Sequence, residues 1–472
     1  MKLNRRTFIA TAAAGAASTA FATTDAPRKP NLVFVFADQW RAQATGYAGD
    51  PNVKTPHIDR LATESINCRN TVSGCPVCSP YRGTLMTGQY PHKHGVFVND
   101  VPLQNGVTSF AQALGAAGYT TSYIGKWHID GHGRSTYIPR ERRQGFDYWR
   151  VLECTHDYNN SFYFGDSDEK LKWDGYDAIA QTRDAERYIR ERDKDKPFAL
   201  FLSWGPPHDP YETAPPEYRA MYDAARLSLR PNVPIDFEDT ARRIGAGYYA
   251  HCSVLDTCVG DLLKTLDNCG IADDTIFVFT SDHGDMLGSR GETHKQRPWD
   301  ESIRVPFLLR YPRKFGRRAH TNDMMLTSVD LMPTMLALCG ASIPNTVQGR
   351  DRSGELMHNG AGDDDAALLT CYVPFGQWIR SKGGREYRGV RTPQHTYVRS
   401  LDGPWLLYDN GTDPYQLANL CNVPGHEKLQ RHLDAVLARK LEEADDTFMP
   451  AQHYIEKWNY TVDANETVRY AS

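Results

Sequence analysis

The chain of 472 residues carries little net charge: 54 Lys and Arg stand against 58 Asp and Glu, a formal −4 at pH 7. That balance excludes a protein held to nucleic acid or to an anionic membrane by bulk charge, and leaves room for a local basic pocket. Cysteine is sparse at ten residues, far below the density of a disulfide scaffold, and no repeated Cys-x-x-Cys pair of zinc-ribbon type occurs. Beyond the N-terminal segment no run of 18 apolar residues is found, so no membrane anchor is expected in the mature chain. What is present is 40% hydrophobic and 24% charged, enough to bury a sizeable core and too apolar for disorder. The length suits two to three domains, or one large α/β domain with an appendage.

The first 22 residues read as an export signal. Lys2, Arg5 and Arg6 precede a small-residue apolar stretch from Phe8 to Ala17, and Ala20-Phe21-Ala22 offers a cleavage site. Arg5-Arg6-Thr7-Phe8-Ile9 resembles the twin-arginine signal, which carries folded proteins across a bacterial inner membrane. An ordinary signal peptide is the alternative. Either way the expected location is periplasmic or secreted.

Four short apolar runs predict strands: Leu32–Ala37, Phe198–Leu202, Ile276–Phe279 and Val305–Leu309, the last placed near a sheet edge because it contains Pro306. Helical spacing covers Ser109–Ala117, Thr240–Asn268 and Asp330–Leu338. This alternation predicts an α/β fold with a large, mostly parallel sheet sandwiched by helices. The stretch Gly360–Asp365 reads as a linker. Beyond it, strand candidates at Tyr387–Arg391, Thr396–Arg399 and Trp405–Tyr408 and a helix over Glu427–Glu443 predict a small α+β subdomain. The expected division is 1–22 leader, 23–365 catalytic domain and 366–472 C-terminal subdomain.

Chemistry in open α/β sheets sits beyond the carboxyl ends of the strands. There the sequence places Asp38-Gln39, Ser281-Asp282-His283-Gly284-Asp285 and Gly205-Pro206-Pro207-His208-Asp209. Two carboxylates and an amide oxygen near one point suit a hard divalent cation; taken singly, each Asp reads as a turn or helix cap. Cys75-Pro76-Val77-Cys78 taken alone is a redox or zinc pair, but it lacks both a thioredoxin-like context and a second pair.

Cys78-Ser79-Pro80-Tyr81-Arg82, followed by Leu85-Met86-Thr87-Gly88, closely resembles the element at which sulfatases have a cysteine oxidised to formylglycine. Gly118 to His128 resembles that family's second characteristic stretch, and the tail from Leu407-Tyr408-Asp409 to Asn419-Leu420 resembles the end of its C-terminal subdomain. The likeness covers nearly the whole mature chain and implies an alkaline-phosphatase-like fold. Tyr81 stands where the family usually has Ser, Thr or Ala. Gln39 and His283 stand where many animal sulfatases carry Asp and Asn; Asp-Gln and Asp-His versions occur in bacterial sulfatases and in phosphonate and phosphodiester hydrolases.

The resemblance implies hydrolysis of a sulfate ester, on a sulfated small molecule or glycan, by a gem-diol at residue 78, made by a formylglycine-generating enzyme. It assigns Asp38, Gln39, Asp282 and His283, together with residue 78, to a Ca²⁺. Imidazole is a poor Ca²⁺ ligand, which keeps Mg²⁺ and Mn²⁺ open and leaves His283 the alternative of bonding the sulfate. Arg82, one turn beyond Cys78, is expected to hold the gem-diol. Lys126 and His128 share a face if the chain is extended there, Lys126 contacting the diol and His128 taking its proton. His208 and Lys295 would bind sulfate and assist the leaving group. His92 and His94 read as structural, Asp285 as a spare carboxylate, and Arg41, His57, Tyr211, Arg297 and Trp299 as candidate pocket lining. A phosphonate monoester or phosphodiester hydrolase is the alternative activity. A non-catalytic glycan-binding protein is disfavoured by the joint presence of Cys78, Arg82, Lys126, His128, Asp282 and Lys295.

Overall fold

The computed structural model describes residues 28–104, 106–358 and 365–468. The expected leader at 1–22, and all of Gly360–Asp365 except Asp365, lie outside the described residues. In chain order the strands are β1 (Asn31–Asp38), β2 (Ile66–Val72), β3 (Thr120–Lys126), β4 (Tyr148–Leu152), β5 (Phe162–Tyr163), β6 (Leu171–Lys172) and β7 (Phe198–Pro207). They continue as β8 (Thr275–Ser281), β9 (Phe307–Arg310), β10 (His320–Thr327), β11 (Ala367–Cys371), β12 (Tyr387–Arg391), β13 (His395–Ser400) and β14 (Gly403–Asp409).

Eight of them form one sheet in the order β10-β2-β9-β8-β1-β7-β3-β4. Its strand pairs are parallel except those of β9, which runs antiparallel to both β2 and β8. The expected edge position for Val305–Leu309 is therefore wrong: β9 is interior. Pro306 lies one residue before the strand, so no ladder hydrogen bond is lost to it, and the strand is only four residues long.

β1 is buried over its whole length and feeds two cores, because alternate side chains leave opposite faces. Leu32, Phe34 and Phe36 pack with Tyr81, Leu85, Phe110 and Leu331. Val33, Val35 and Ala37 pack with Tyr248, Leu255, Val259 and Leu262. One face thus receives the helices Cys78–Thr87, Phe110–Ala116 and Ser328–Leu338, the other the 31-residue helix Glu238–Asn268 and the helix Asp177–Glu191. Ser109 starts its helix with a capping box closed by Gln112. This is the predicted layered α/β architecture.

The second sheet, β11-β12-β13-β14, is antiparallel. Leu368, Val390, Tyr397 and Leu407 face Leu433, Val436 and Leu437 of the helix Glu427–Ala444. Its other face, with Leu369, Tyr387, Val398 and Leu406, docks on Val72, Ile303 and Met325 of the large domain. All ten cysteines are free thiols.

One ion pair pins the two sheets together. Arg391 on β12 forks onto Asp300, with Nε to Oδ1 at 2.9 Å and Nη2 to Oδ2 at 3.1 Å. Both side chains are buried. Burial opposes ionisation of Asp300, yet Arg391 and Arg304 hold its pKa down at about 2. Removing Arg391 leaves the buried Asp300 carboxylate to Arg304 alone, so Arg391→Ala should lower the unfolding free energy by about 2–3 kcal/mol in urea titrations, short of the ~3–5 kcal/mol of a fully stranded charge; a loss below about 1 kcal/mol would dismiss the pair as a tie. Because the folded carboxyl is depressed, its contribution is full above about pH 4 and fades as pH falls toward 2. The gap between wild type and Asp300→Asn should close over that window.

Candidate active site

Four parallel strands deliver polar residues to one place. β1 ends on Asp38, β3 on Lys126, and β7 and β8 run on into His208 and Asp282-His283. Cys78 is the first residue of the helix Cys78–Thr87, where the positive end of the helix dipole favours a bound anion. Ligand atoms of Asp38, Cys78, Asp282 and His283, all buried, lie within 4.8 Å of one another. Cys78 Sγ is 3.2 Å from His283 Nε2 and 3.5 Å from Asp38 Oδ1. His283 Nε2 is also 3.5 Å from Oδ1 of both Asp38 and Asp282.

The donor set fits a divalent cation. His283 donates Nδ1–H to the Gly284 carbonyl at 3.0 Å, which turns the Nε2 lone pair toward the carboxylates, as in metal-ligating histidines. Burial, then Lys295, push its pKa down to about 3, so the ring is neutral. Burial and the neighbouring Asp38 raise the pKa of Asp282, which is the electrostatic signature of two carboxylates sharing a site. Burial also opposes the charge on Asp38, but the cationic groups around it, Lys126 foremost, hold it well below the ordinary range. Burial and Asp38 push the Cys78 thiol up to about 12.

Arg82, expected to hold the gem-diol, contacts the strand ends around the cluster. Nη1 donates to the Lys126 carbonyl at 2.6 Å and to Ser203 Oγ at 2.7 Å, and Nη2 reaches Asp38 Oδ2 at 3.2 Å and Asp282 Oδ2 at 3.5 Å. One guanidinium thus touches β1, β3, β7 and the end of β8. Lys126 Nζ donates to Asp38 Oδ2 at 2.7 Å. Lys126 and His128 are not same-face residues of one strand: β3 stops at Lys126, and His128 takes a φ of 59°. His128 Nε2 lies 3.0 Å from Asp100 Oδ1.

Lys295 reaches the site from a loop, donating Nζ to Gln39 Oε1 at 2.9 Å and to His208 Nε2 at 2.6 Å. His208 Nδ1–H in turn donates to the Asp209 carbonyl at 2.8 Å. Gln39 lies beside the cluster, its amide oxygen engaged by Lys295 and its Nε2 donating to Asp285 Oδ2 at 2.8 Å and Tyr211 Oη at 3.3 Å. Asp285 is not spare: Oδ2 also accepts the Tyr211 hydroxyl, and Oδ1 accepts the backbone N–H of Leu287 and His294. Of the other pocket candidates, Arg41 bonds Tyr249, Arg297 pairs with Glu292, and Trp299 donates to Tyr408. His57 lines a separate cavity of about 240 Å³ with Arg310, at the opposite end of the sheet. His92 and His94 are bound within the fold, to Tyr372 and Thr84.

Two groups escaped the sequence reading. His156 stacks on His208, ring centroids 4.7 Å apart and 9° from parallel. Asp100 faces His128 from a loop. The signal for His156 was its place just past Tyr148–Leu152, had Tyr-Trp-Arg-Val-Leu been read as a strand; nothing local marked Asp100.

Comparisons with known proteins agree with this fold. The sulfatase family profile covers residues 30–341, and the C-terminal profile of N-sulphoglucosamine sulphohydrolase covers 288–443. An ulvan-active sulfatase of Formosa agariphila is 44% identical over 449 residues, 94% of this chain and 87% of that protein. A solved structure from work on glycosaminoglycan metabolism in Bacteroides thetaiotaomicron superposes with a TM-score of 0.80 at 28% identity, covering 91% of this chain and 99% of that one. Phosphonate monoester hydrolase of Agrobacterium radiobacter shares the fold, with a TM-score of 0.70 at 22% identity over 88% of this chain and 96% of that one. With the family profile spanning every strand end that meets at Cys78, the chain belongs to the sulfatase family and is a sulfatase of alkaline-phosphatase-like fold.

Proposed function

We propose that this sulfatase hydrolyses a sulfate ester of a carbohydrate, using residue 78 as formylglycine and a bound divalent cation, Ca²⁺ in the first instance. The observation that carries the reading is Cys78 at the head of its helix, 3.2–3.5 Å from His283 and Asp38 and joined by Asp282 in one buried cluster. The named activity of the ulvan-active relative supports a sulfated polysaccharide as substrate class. Export through the N-terminal leader and maturation by a formylglycine-generating enzyme belong to the same proposal.

An unmodified thiol attacking sulfur would leave a thiosulfate ester with no easy exit. The hydrated aldehyde has two hydroxyls: one attacks sulfur as the alkoxide leaves, and loss of the proton from the other expels sulfate and restores the carbonyl. Asp38, Asp282 and His283 would hold the cation, with Gln39 as a further candidate ligand. When bound, the cation lowers the pKa of the attacking hydroxyl and neutralises charge on the sulfate. Lys126 and Lys295 supply fixed positive charge for the sulfate oxygens in a site without water screening. His208, held by Asp209 and Lys295, is placed to assist the leaving oxygen, and His128 to take the hemiacetal proton. Arg82 pairs with Asp38 and reaches Asp282, tying the four strand ends together.

In a host able to install the modification, the peptide containing residue 78 should weigh about 18 Da less than the cysteine form, and Cys78→Ala should abolish turnover with an unchanged melting temperature. A full-mass, alkylatable thiol in active enzyme sinks the reading.

Chelation should remove activity and Ca²⁺ should restore it. Restoration only by Mg²⁺ or Mn²⁺ would change the ion, and indifference to chelators would remove the metal.

p-Nitrophenyl sulfate should be turned over faster than phenyl phosphonate or bis-p-nitrophenyl phosphate. Preference for the phosphorus esters by orders of magnitude would hand the site to the alternative activity.

A further inference from the structure

We propose that Asp100, clamped by Arg134, is a positioning residue that fixes the tautomer of His128 and thereby drives release of sulfate from residue 78. This rests on the formylglycine reading and deepens it. His128 is 2% exposed, with Nε2 3.0 Å from Asp100 Oδ1. Arg134 holds the same carboxylate through Nε at 3.2 Å and Nη2 at 2.8 Å. An ionised carboxylate only accepts hydrogen bonds, so Nε2 carries the ring proton and Nδ1 keeps a bare lone pair. Nδ1 is buried and has no hydrogen-bond partner among the described residues.

A buried acceptor without a donor is costly unless a donor arrives during function. The thiol at residue 78 brings one hydrogen; the gem-diol brings two. The Ser79 N–H donates to Asn99 Oδ1 at 3.0 Å, which sets the Asp100 loop beside residue 78, and the second hydroxyl of the gem-diol is the donor this proposal assigns to Nδ1. The backbone agrees: Asp100 and His128 both adopt left-handed φ, 66° and 59°, which side chains rarely do without compensation. The two loops are stitched together by the Leu103 N–H donating to the Ile129 carbonyl at 2.8 Å. Burial, then Lys126, hold the ring neutral, down at about 3, so it begins as a base.

The step balances within these groups. After sulfur transfer, residue 78 is a hemiacetal sulfate. Its free hydroxyl gives its proton to Nδ1, the O–H electron pair becomes the second carbon–oxygen bond of the aldehyde, and the bond to the sulfate oxygen breaks with its pair on sulfate. The imidazolium so formed is neutralised across Nε2–H by Asp100. Loss of Asp100 removes both the tautomer constraint and that counter-charge, while leaving the first half-reaction intact.

The test is rapid-quench kinetics on full-length, matured enzyme with p-nitrophenyl sulfate, joined to intact-peptide mass at residue 78. Asp100→Asn and Asp100→Ala should release about one equivalent of p-nitrophenol in a burst, then turn over at least about 10²-fold more slowly. KM should fall with kcat, and the residue 78 peptide should weigh ~98 Da more than its aldehyde form, one water plus one SO₃. Arg134→Gln should show the same pattern more weakly. Turnover within about threefold of wild type, or a slow variant with neither burst nor adduct, overturns the role of Asp100. If the alanine variant does not fold, the near-isosteric Asn variant decides. Wild-type peptide mass separates the two readings: an unconverted thiol there defeats the formylglycine reading, while converted wild type with burst-free variants defeats only this inference.

Discussion

Two carboxylates with no solvent access have to be kept charged side by side, and the rest of the molecule is arranged around that demand. Asp38 and Asp282 are both 0% exposed. An isolated pair of buried anions costs several kcal/mol per ion. Arg82 and Lys126 offset the cost for Asp38, and the raised pKa of Asp282 shows that they do not offset it for both. A dication held by both would complete the balance, which is why the cluster reads as a candidate metal site before any relative is considered. Without a cation, burial and the neighbouring Asp38 keep the Cys78 thiol protonated.

The geometry that serves this demand is bought with backbone conformations most residues avoid. Gln39, His128, His294 and Gln296 all take left-handed φ between 59° and 73°. Each sits next to, or is, a residue of the site. A non-glycine residue in that region costs of order 1 kcal/mol or more and persists only where surrounding contacts impose it. Those contacts are visible: the Gln39 N–H donates to Asp282 Oδ1 at 2.9 Å, and the His294 N–H to Asp285 Oδ1 at 3.0 Å. Strain is concentrated where side chains leave strand ends and must turn inward, and the two buried cores supply the stability that tolerates it.

This division explains what could be read from the sequence. β1, β7 and β8 are continuous apolar runs because both faces are covered, and they were legible, as were the long helix Glu238–Asn268 and the C-terminal strands. β2 and β10 were not, since Asn67, Arg69, Asn322 and Asp323 interrupt their hydrophobicity near the sheet edge. β9 was legible as a strand but misplaced, because a proline before a strand looks, in sequence, like a proline within it. Residues carried by a linear motif, from Cys78 to Arg82 and from Lys126 to His128, announced themselves. Asp100, His156 and the Asp285–Tyr211 contact did not, because their meaning lies in partners far along the chain, His128, His208 and Tyr211, and pair distances across a sheet are fixed by topology rather than by spacing.

The small C-terminal sheet supports the candidate site for the same reason. Lys295 hangs on a loop between two strained residues, and a loop cannot hold a charge in register unaided. Gln296 supplies the missing support: its Nε2 donates to the Phe375 carbonyl at 2.8 Å, its Oε1 accepts the Phe375 N–H at 3.3 Å, and its own carbonyl accepts the Tyr387 hydroxyl at 3.1 Å. Phe375 lies just beyond β11 and Tyr387 begins β12. On the other side, the Gln296 N–H donates to the Pro76 carbonyl at 3.2 Å, two residues before the nucleophile helix. Gln296 therefore joins the second sheet to the turn before Cys78, and Lys295, next in the chain, is positioned from both. The Arg391–Asp300 pair locks the same sheet to the large domain a few residues further on. A sequence reading that treats everything after residue 365 as an appendage misses that the far wall of the active site is braced from there.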